Sequence, residues 1–455
     1  MSSVPPRHVH KEYSASVIES RSNVQSEFRE RLDDVYDESS GILFFPSLVS
    51  CTSEAQKKVK ENWQNLVEVR KPFCVFLLYG SGGGGHLASA QALFDLIKER
   101  HPEWQCFLWD VTELAGISLS GSLYNFALEW DLLPFVGALY SVAKIFRPFM
   151  DPVFSSRLRG RWRRLPKPDL VVSFVPFLNS AIINSLPESH HITVMTDFTN
   201  TEAHPWLQDK RQTILCGTVT SIQQAIRKGY DVSHVKPISG MVVHPRFYKC
   251  CSMDISSLKR KLLGTCQERL TVLILIGAYP PYYTTLQIIS RFSSPSNHML
   301  GELNVVCICG GNSRLYQELS RLKNSQSSPF YRENLFLLGY TNQVAEYMRI
   351  SNIIITKPGP GVVAESCVMK VPLIILALNN QLMEQEADVS NWVIRHGIGR
   401  KVVFLDQLAN VTREEMSMWR ENMSKLGENK AVFEVLRELE AYRDAKNDKN
   451  RYICK

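Results

Sequence analysis

The sequence predicts an α/β protein made of two doubly wound halves, and three observations carry that prediction. Short apolar, β-branched runs such as Phe73–Tyr79 and Ile353–Thr356 recur, each followed by a helical pattern. Glycine-rich turns join strand to helix at two distant places, Gly80–His86 and Lys357–Gly361. The 455 residues suffice for two full cores plus tails. The expected division is an extension over 1–70, two α/β domains over 71–244 and 245–425, and a helical tail over 426–455.

Composition narrows the class. With 44% hydrophobic and 21% charged residues the chain reads as globular. A net charge of +7 is modest, so its placement matters more than its total. The 11 cysteines include no Cys-x-x-Cys pair and no zinc spacing, so reduced, buried thiols are expected. Acids such as Glu12, Glu19 and Asp33 and the lack of an apolar stretch argue against a secretory or transit segment; the first forty residues are expected to be disordered. Leu170–Pro187 and Leu270–Ser290 approach membrane-span length. Pro176 interrupts one and Pro280–Pro281 the other, so each is read as strand, turn and helix. No transmembrane helix is expected, and the location is read as cytoplasmic.

In the first half, the strand Phe73–Tyr79 runs into Gly80-Ser81-Gly82-Gly83-Gly84-Gly85-His86, then a helix over Leu87–Arg100 and a strand ending at Asp110. The loop contains G-x-G-x-x-G, and Asp110 could meet a ribose, so a dinucleotide site stays open on this weak motif. No Gly-Lys-Ser/Thr follows, which excludes a phosphate loop. Glycines allow close backbone approach, and His86 at their end can take a proton near neutral pH; a helix-capping histidine is the plainer alternative. Asp197, at the end of the strand His191–Met195, faces the crevice where such sheets bind ligands.

The stretch Ile117–Lys167 is rich in leucine and aromatic residues and ends in Arg157, Arg159, Arg161, Trp162, Arg163, Arg164 and Lys167. An apolar helical region beside a basic cluster suits peripheral contact with an anionic membrane. Core helices with a solvated basic turn remain the alternative. A nucleic-acid patch fits less well, since the neighbours are aliphatic rather than spaced aromatics, and no nucleic-acid partner is expected.

The second half is organised around Ile353–Val393. A buried strand reaches Lys357-Pro358-Gly359-Pro360-Gly361, and a helix starts there, so strand, turn and helix N-terminus form a ready anion site. Glu365, one turn in, is placed to accept hydrogen bonds from a pair of sugar hydroxyls. Gln385 and Glu386 open the next helical pattern. The spacing suits a nucleotide-sugar; an ordinary βαβ unit is the bland reading.

These residues resemble glycosyltransferase family 28, which includes monogalactosyldiacylglycerol synthases and processive diacylglycerol glucosyltransferases. The K-[AP]-G-P-G-x-x-x-E signature and its following Gln-Glu pair are matched by Lys357, Gly359, Pro360, Gly361, Glu365, Gln385 and Glu386. G-G-G-H-x-A-S-A is matched from Gly83, Gly84 and Gly85 through His86 to Ala90, and C-G-x-N-x-x-L around Asn312. The chain departs at Asp388–Val389, where the family has Gly-Asn, and at Gly277–Tyr283, where relatives carry a glycine-rich loop. The resemblance implies a GT-B architecture, two Rossmann-like domains facing across a cleft. It implies a UDP-hexose donor held by the residues above with Asn312 and Tyr340, an acceptor beside Gly83–Gly85, and His86 or Asp197 as base. The expected reaction inverts the sugar onto a membrane lipid, diacylglycerol foremost, with no cofactor and no metal; no Asp-x-Asp occurs. Rival readings are a UDP-sugar epimerase or hydrolase on the same scaffold, and a non-catalytic binding relative.

Overall fold

The computed structural model describes residues 72–80, 84–117, 126, 127, 130, 149–198, 204–249, 253–265, 267–293, 303–325, 333–380 and 382–453, and an antiparallel pair, Tyr36–Asp37 with Ile42–Leu43. Expectations for nearly all of the first 71 residues, for Gly83, for most of 117–148 and for the Gln385 side chain lie outside the described residues.

Pro72–Lys455 forms one compact unit containing two six-stranded sheets. The first holds β1 (Cys74–Tyr79), β2 (Gln105–Asp110), β3 (Leu170–Ser173), β4 (His190–Val194), β5 (Thr213–Cys216) and β6 (Val235–Pro237) in the order β2-β1-β3-β4-β5-β6. The second holds β7 (Leu270–Ile274), β8 (Leu303–Ile308), β9 (Leu335–Leu338), β10 (Ile353–Thr356), β11 (Leu373–Leu376) and β12 (Gly399–Val402) in the order β9-β8-β7-β10-β11-β12. Every pairing in both sheets is parallel. Parallel sheets need both faces covered, which is why these strands read as unbroken apolar runs. In β1, Val75 and Leu77 face one core while Cys74, Phe76 and Leu78 face another.

Both span-length runs resolve into strand, turn and helix: β3 precedes the helix Asn179–Ser185, and β7 precedes Tyr282–Ser293. No helix among the described residues is long and apolar enough to cross a membrane. The chain ends in two helices, Arg413–Lys425 and Ala431–Ile453, separated by a break that contains Gly427. Met416 and Trp419 of the first belong to the core of the second sheet. Ala431, Val432, Val435, Leu436 and Leu439 of the second join the core of the first sheet, so the chain crosses back. The larger of these side chains contribute on the order of 1.5–3 kcal/mol each.

Residues 149–162 are helical. Phe154, Leu158 and Trp162, four apart, form its buried stripe, and the Trp162 indole N–H donates to Ser185 Oγ at 2.8 Å. This corrects the expectation for Trp162: it is a core residue against Phe76, with ring centroids 5.5 Å apart, and not a membrane contact. The five arginines keep their exposed positions; Arg157 donates to Ala115 O and Arg159 to Asn184 O. Asp110 is used locally as well. Its carboxylate accepts from the N–H groups of Thr112 and Glu113 as a helix cap, which removes the support for a dinucleotide ribose there.

Candidate active site

The first wall of the cleft grows from the C-terminal edge of β1. The helix Gly85–Arg100 starts two residues earlier than its pattern suggests, so His86 lies in its first turn. Gly84 caps it at φ +80, and a Cβ there would come 2.9 Å from Ala278 Cβ in the second half. Conformation and contact both demand glycine. No side chain caps this helix and no acid occupies its first turn, so its N–H groups stay available to an anion. His86 Nδ1 lies 3.0 Å from Thr196 Oγ1, just beyond β4. The buried Asp197 carboxylate accepts from the Trp206 indole N–H at 2.8 Å, and the Trp206 ring stands edge-on to His86 with centroids 5.7 Å apart. Desolvation lowers the His86 pKa below the ordinary histidine value, and the negative charge of Asp197 partly opposes this. The imidazole is therefore neutral at pH 7.

The opposite wall begins at the C-terminal edge of β10. Gly359 caps the helix Pro360–Met369 without a side-chain hydrogen bond, and Pro360 fills its first position. This helix packs against Gly85–Arg100, which brings the two uncapped glycine-led helices into contact. Burial pushes the Glu365 carboxyl up to about 7, with the charge of Arg246 pulling the other way. Lys357 Nζ lies 3.8 Å from Glu386 Oε1, a long ion pair, and its stem passes Gly277, where φ is +79 and a Cβ would come 3.2 Å from Lys357 Cε. Glu386 is buried; its other oxygen accepts from Met383 N–H at 3.2 Å.

The altered loop Gly277–Tyr283 is held by its neighbours. Gly311 N–H donates to Ala278 O at 2.8 Å and Asn312 Nδ2 to Pro280 O at 2.9 Å. Asn312 Oδ1 also caps the next helix at Leu315 N–H, and the residue is 4% exposed. Its expected place on the donor is thus corrected: the side chain braces this loop, because Gly-Gly-Asn-Ser is also a helix-cap sequence. Tyr340, after β9, is 80% exposed.

The structure brings His86 and Asp197 together in one wall and Lys357, Glu365 and Glu386 in the other. It adds Thr196, Trp206 and Arg246 to the expected site residues. A cavity of about 1280 Å³ opens beside the site, lined from both halves by residues such as Phe198, Gly217, Val363 and Trp392; His86, Lys357 and Glu365 lie outside its lining. Among the described residues no group of three or more His, Cys, Asp or Glu side chains converges as a metal site.

Two parallel-sheet halves with a cleft between them and a helix that crosses back form the GT-B architecture. Residues 287–431 match the glycosyltransferase family 28 C-terminal domain. The chain is similar to the chloroplastic monogalactosyldiacylglycerol synthase of Spinacia oleracea, 26% identical over 417 residues, covering 86% of this chain and 76% of that one. It is likewise similar to monogalactosyldiacylglycerol synthase 1 of Arabidopsis thaliana, at 25% over 417 residues, 86% of this chain and 75% of that one. Among solved structures, Arabidopsis thaliana UGT89C1 complexed with UDP shares the fold with a TM-score of 0.50 at 12% identity, covering 82% of this chain and 99% of that chain.

Proposed function

We propose that the protein transfers a hexose from a UDP-sugar to a hydroxyl of a membrane lipid, diacylglycerol foremost, with inversion at the anomeric carbon. The observation that carries this reading is His86: a neutral imidazole in the first turn of a glycine-led helix, packed against the helix whose start suits a diphosphate. With Nδ1–H donating to Thr196 Oγ1, Nε2 holds the lone pair that accepts the hydroxyl proton. The lipid oxygen attacks the anomeric carbon as the bond to the β-phosphate oxygen breaks, and that electron pair leaves on UDP. Asp197, itself held by Trp206, steadies the imidazolium that forms. Charge on the departing diphosphate falls to the positive end of the helix that starts at Gly359–Gly361, where the Gly361 N–H follows Pro360, and to Lys357, so no metal ion is invoked. Glu365 accepts from the ribose hydroxyls; the hexose is assigned to Gln385 and Glu386 and the acceptor to Gly83–Gly85.

Membrane contact is supported by the helix over 149–162. Its buried stripe leaves Phe149, 77% exposed, with Met150 and Val153 on the surface, followed by exposed Arg157, Arg159, Arg161, Arg163 and Arg164. An apolar end beside clustered arginines suits peripheral binding to anionic lipid. Incubating the protein with diacylglycerol vesicles and radiolabelled UDP-glucose or UDP-galactose tests the proposal. A labelled glycolipid that requires the vesicles supports it. Free sugar or an epimerised donor formed equally without lipid contradicts it, as does UDP binding with no turnover.

A further inference from the structure

We propose that Arg246 is a second protein group on the uridine end of the donor, facing it with Glu365, and that its turn ties donor binding to the helix bearing His86. The inference rests on the donor-site reading above. The turn Pro245–Phe247 lies where the chain passes from the first sheet to the second, and His244 caps it by accepting the Arg246 N–H at 3.1 Å. His244 Nε2 pairs with Asp95 Oδ2 at 3.0 Å, and Gln91 donates to the other Asp95 oxygen at 2.6 Å. Gln91 and Asp95 stand on the helix that opens with Gly85 and His86. On its other side the turn seats Phe247 in the same core as Val363, two residues from Glu365. Arg246 Nη1 donates to Asn342 O at 3.1 Å, in the loop that follows β9 and Tyr340.

Arg246 therefore sits between the loop after Tyr340, expected on the donor, and the helix whose Glu365 carboxylate is expected to hold the ribose. Burial raises the Glu365 pKa, and the charge of Arg246 opposes that rise without overcoming it. Yet the two side chains form no ion pair with each other, and Glu365 has no hydrogen-bonded partner among the described residues. A half-buried carboxylate and an exposed guanidinium that attract without touching are apposed groups, each able to take a different part of one ligand. A guanidinium has five N–H donors, and the bond to Asn342 O leaves others for oxygen acceptors of the uridine, while Glu365 accepts from the ribose hydroxyls. The chain of contacts from Asn342 through Arg246, His244 and Asp95 then joins nucleotide recognition to the helix that positions the base.

Calorimetric titration of UDP and UMP into the full-length protein tests this, with KM and kcat for the UDP-sugar and thermal melting alongside. Arg246→Ala should raise the dissociation constants of both nucleotides about tenfold and raise KM, while kcat stays within about threefold. Arg246→Lys should recover part of the loss, since it restores the charge but not the fork. Combined with Glu365→Gln, the loss should fall short of the product of the two single losses, because the groups share one ligand. If Glu365→Gln weakens UDP but Arg246→Ala leaves it unchanged, the inference falls and the donor-site reading stands. If neither changes it, both fall. A loss for UDP without one for UMP would move the contact to the terminal phosphate and overturn the uridine assignment. A drop in melting temperature that accounts for the lost binding, without Lys recovery, would make Arg246 merely structural.

Discussion

His86 and Glu365 stand on facing walls of one cleft, and burial acts on both in opposite directions. Desolvation disfavours whichever form is charged, so it lowers the pKa of the histidine and raises that of the carboxylic acid to about 7. For His86 this is preparation, because the neutral imidazole is the form that takes a proton. For Glu365 it is a cost that a ligand must overcome, because the ionised form accepts ribose hydroxyls best. On the proposed function, the first wall is set for chemistry and the second for binding that depends on pH.

The sharpest way to break this comparison is to remove the base. His86→Ala should lower turnover by about two to four orders of magnitude and leave UDP affinity nearly unchanged. Near-normal turnover would shift the role to Asp197.

A smaller effect is expected outside the cleft. Reversing charge at Arg161, Arg163 and Arg164 removes several favourable contributions of about 1 kcal/mol each toward anionic lipid. Binding to anionic vesicles should fall steeply, while circular dichroism and UDP affinity hold. Raising salt on the parent protein should mimic the change. Equal flotation of parent and variant would reduce the cluster to a solvated turn.

The smallest effect separates the two walls by pH alone. The Glu365 pKa is about 7 in the folded protein against an ordinary 4.5. Because UDP prefers the ionised form, affinity should rise about tenfold between pH 6 and pH 8. The sign for stability is opposite: the contribution of neutral Glu365 is complete below about pH 4.5 and lost as pH rises through about 7. Glu365→Gln should flatten the pH dependence of binding. The acid limb of kcat, governed by His86, should lie below the ordinary histidine value of 6.5. A single shared midpoint for kcat and UDP affinity would contradict the division between the walls.

The walls also differ in how much of them the sequence discloses. The second is local: strand, Lys357, the Gly-Pro-Gly turn and Glu365 fall within a dozen residues, so one stretch of chain specifies the geometry. The first is assembled by topology. Asp197 and Trp206 lie nine apart in the loop after β4, but Thr196 lies 110 residues from His86, and those two meet because β1 and β4 share one sheet with only β3 between them. No local pattern encodes such contacts. Arg246 escaped for the same reason, since its partners come from three separate elements. The strands were plain because parallel sheets bury both faces. Two errors had readable signals. Trp162 repeats the four-residue spacing of Phe154 and Leu158, which outweighs its arginine neighbours, and Asn312 before Ser313 is a helix cap as well as part of a family motif.

The division of labour is tested most directly by titrating UDP into His86→Ala and Glu365→Ala side by side. The account predicts a dissociation constant near the parent value for His86→Ala. For Glu365→Ala it predicts at least a tenfold increase, since a charged hydrogen bond of about 1.5–3 kcal/mol is lost. Unchanged UDP affinity in Glu365→Ala, or an equal loss in both variants, would contradict it.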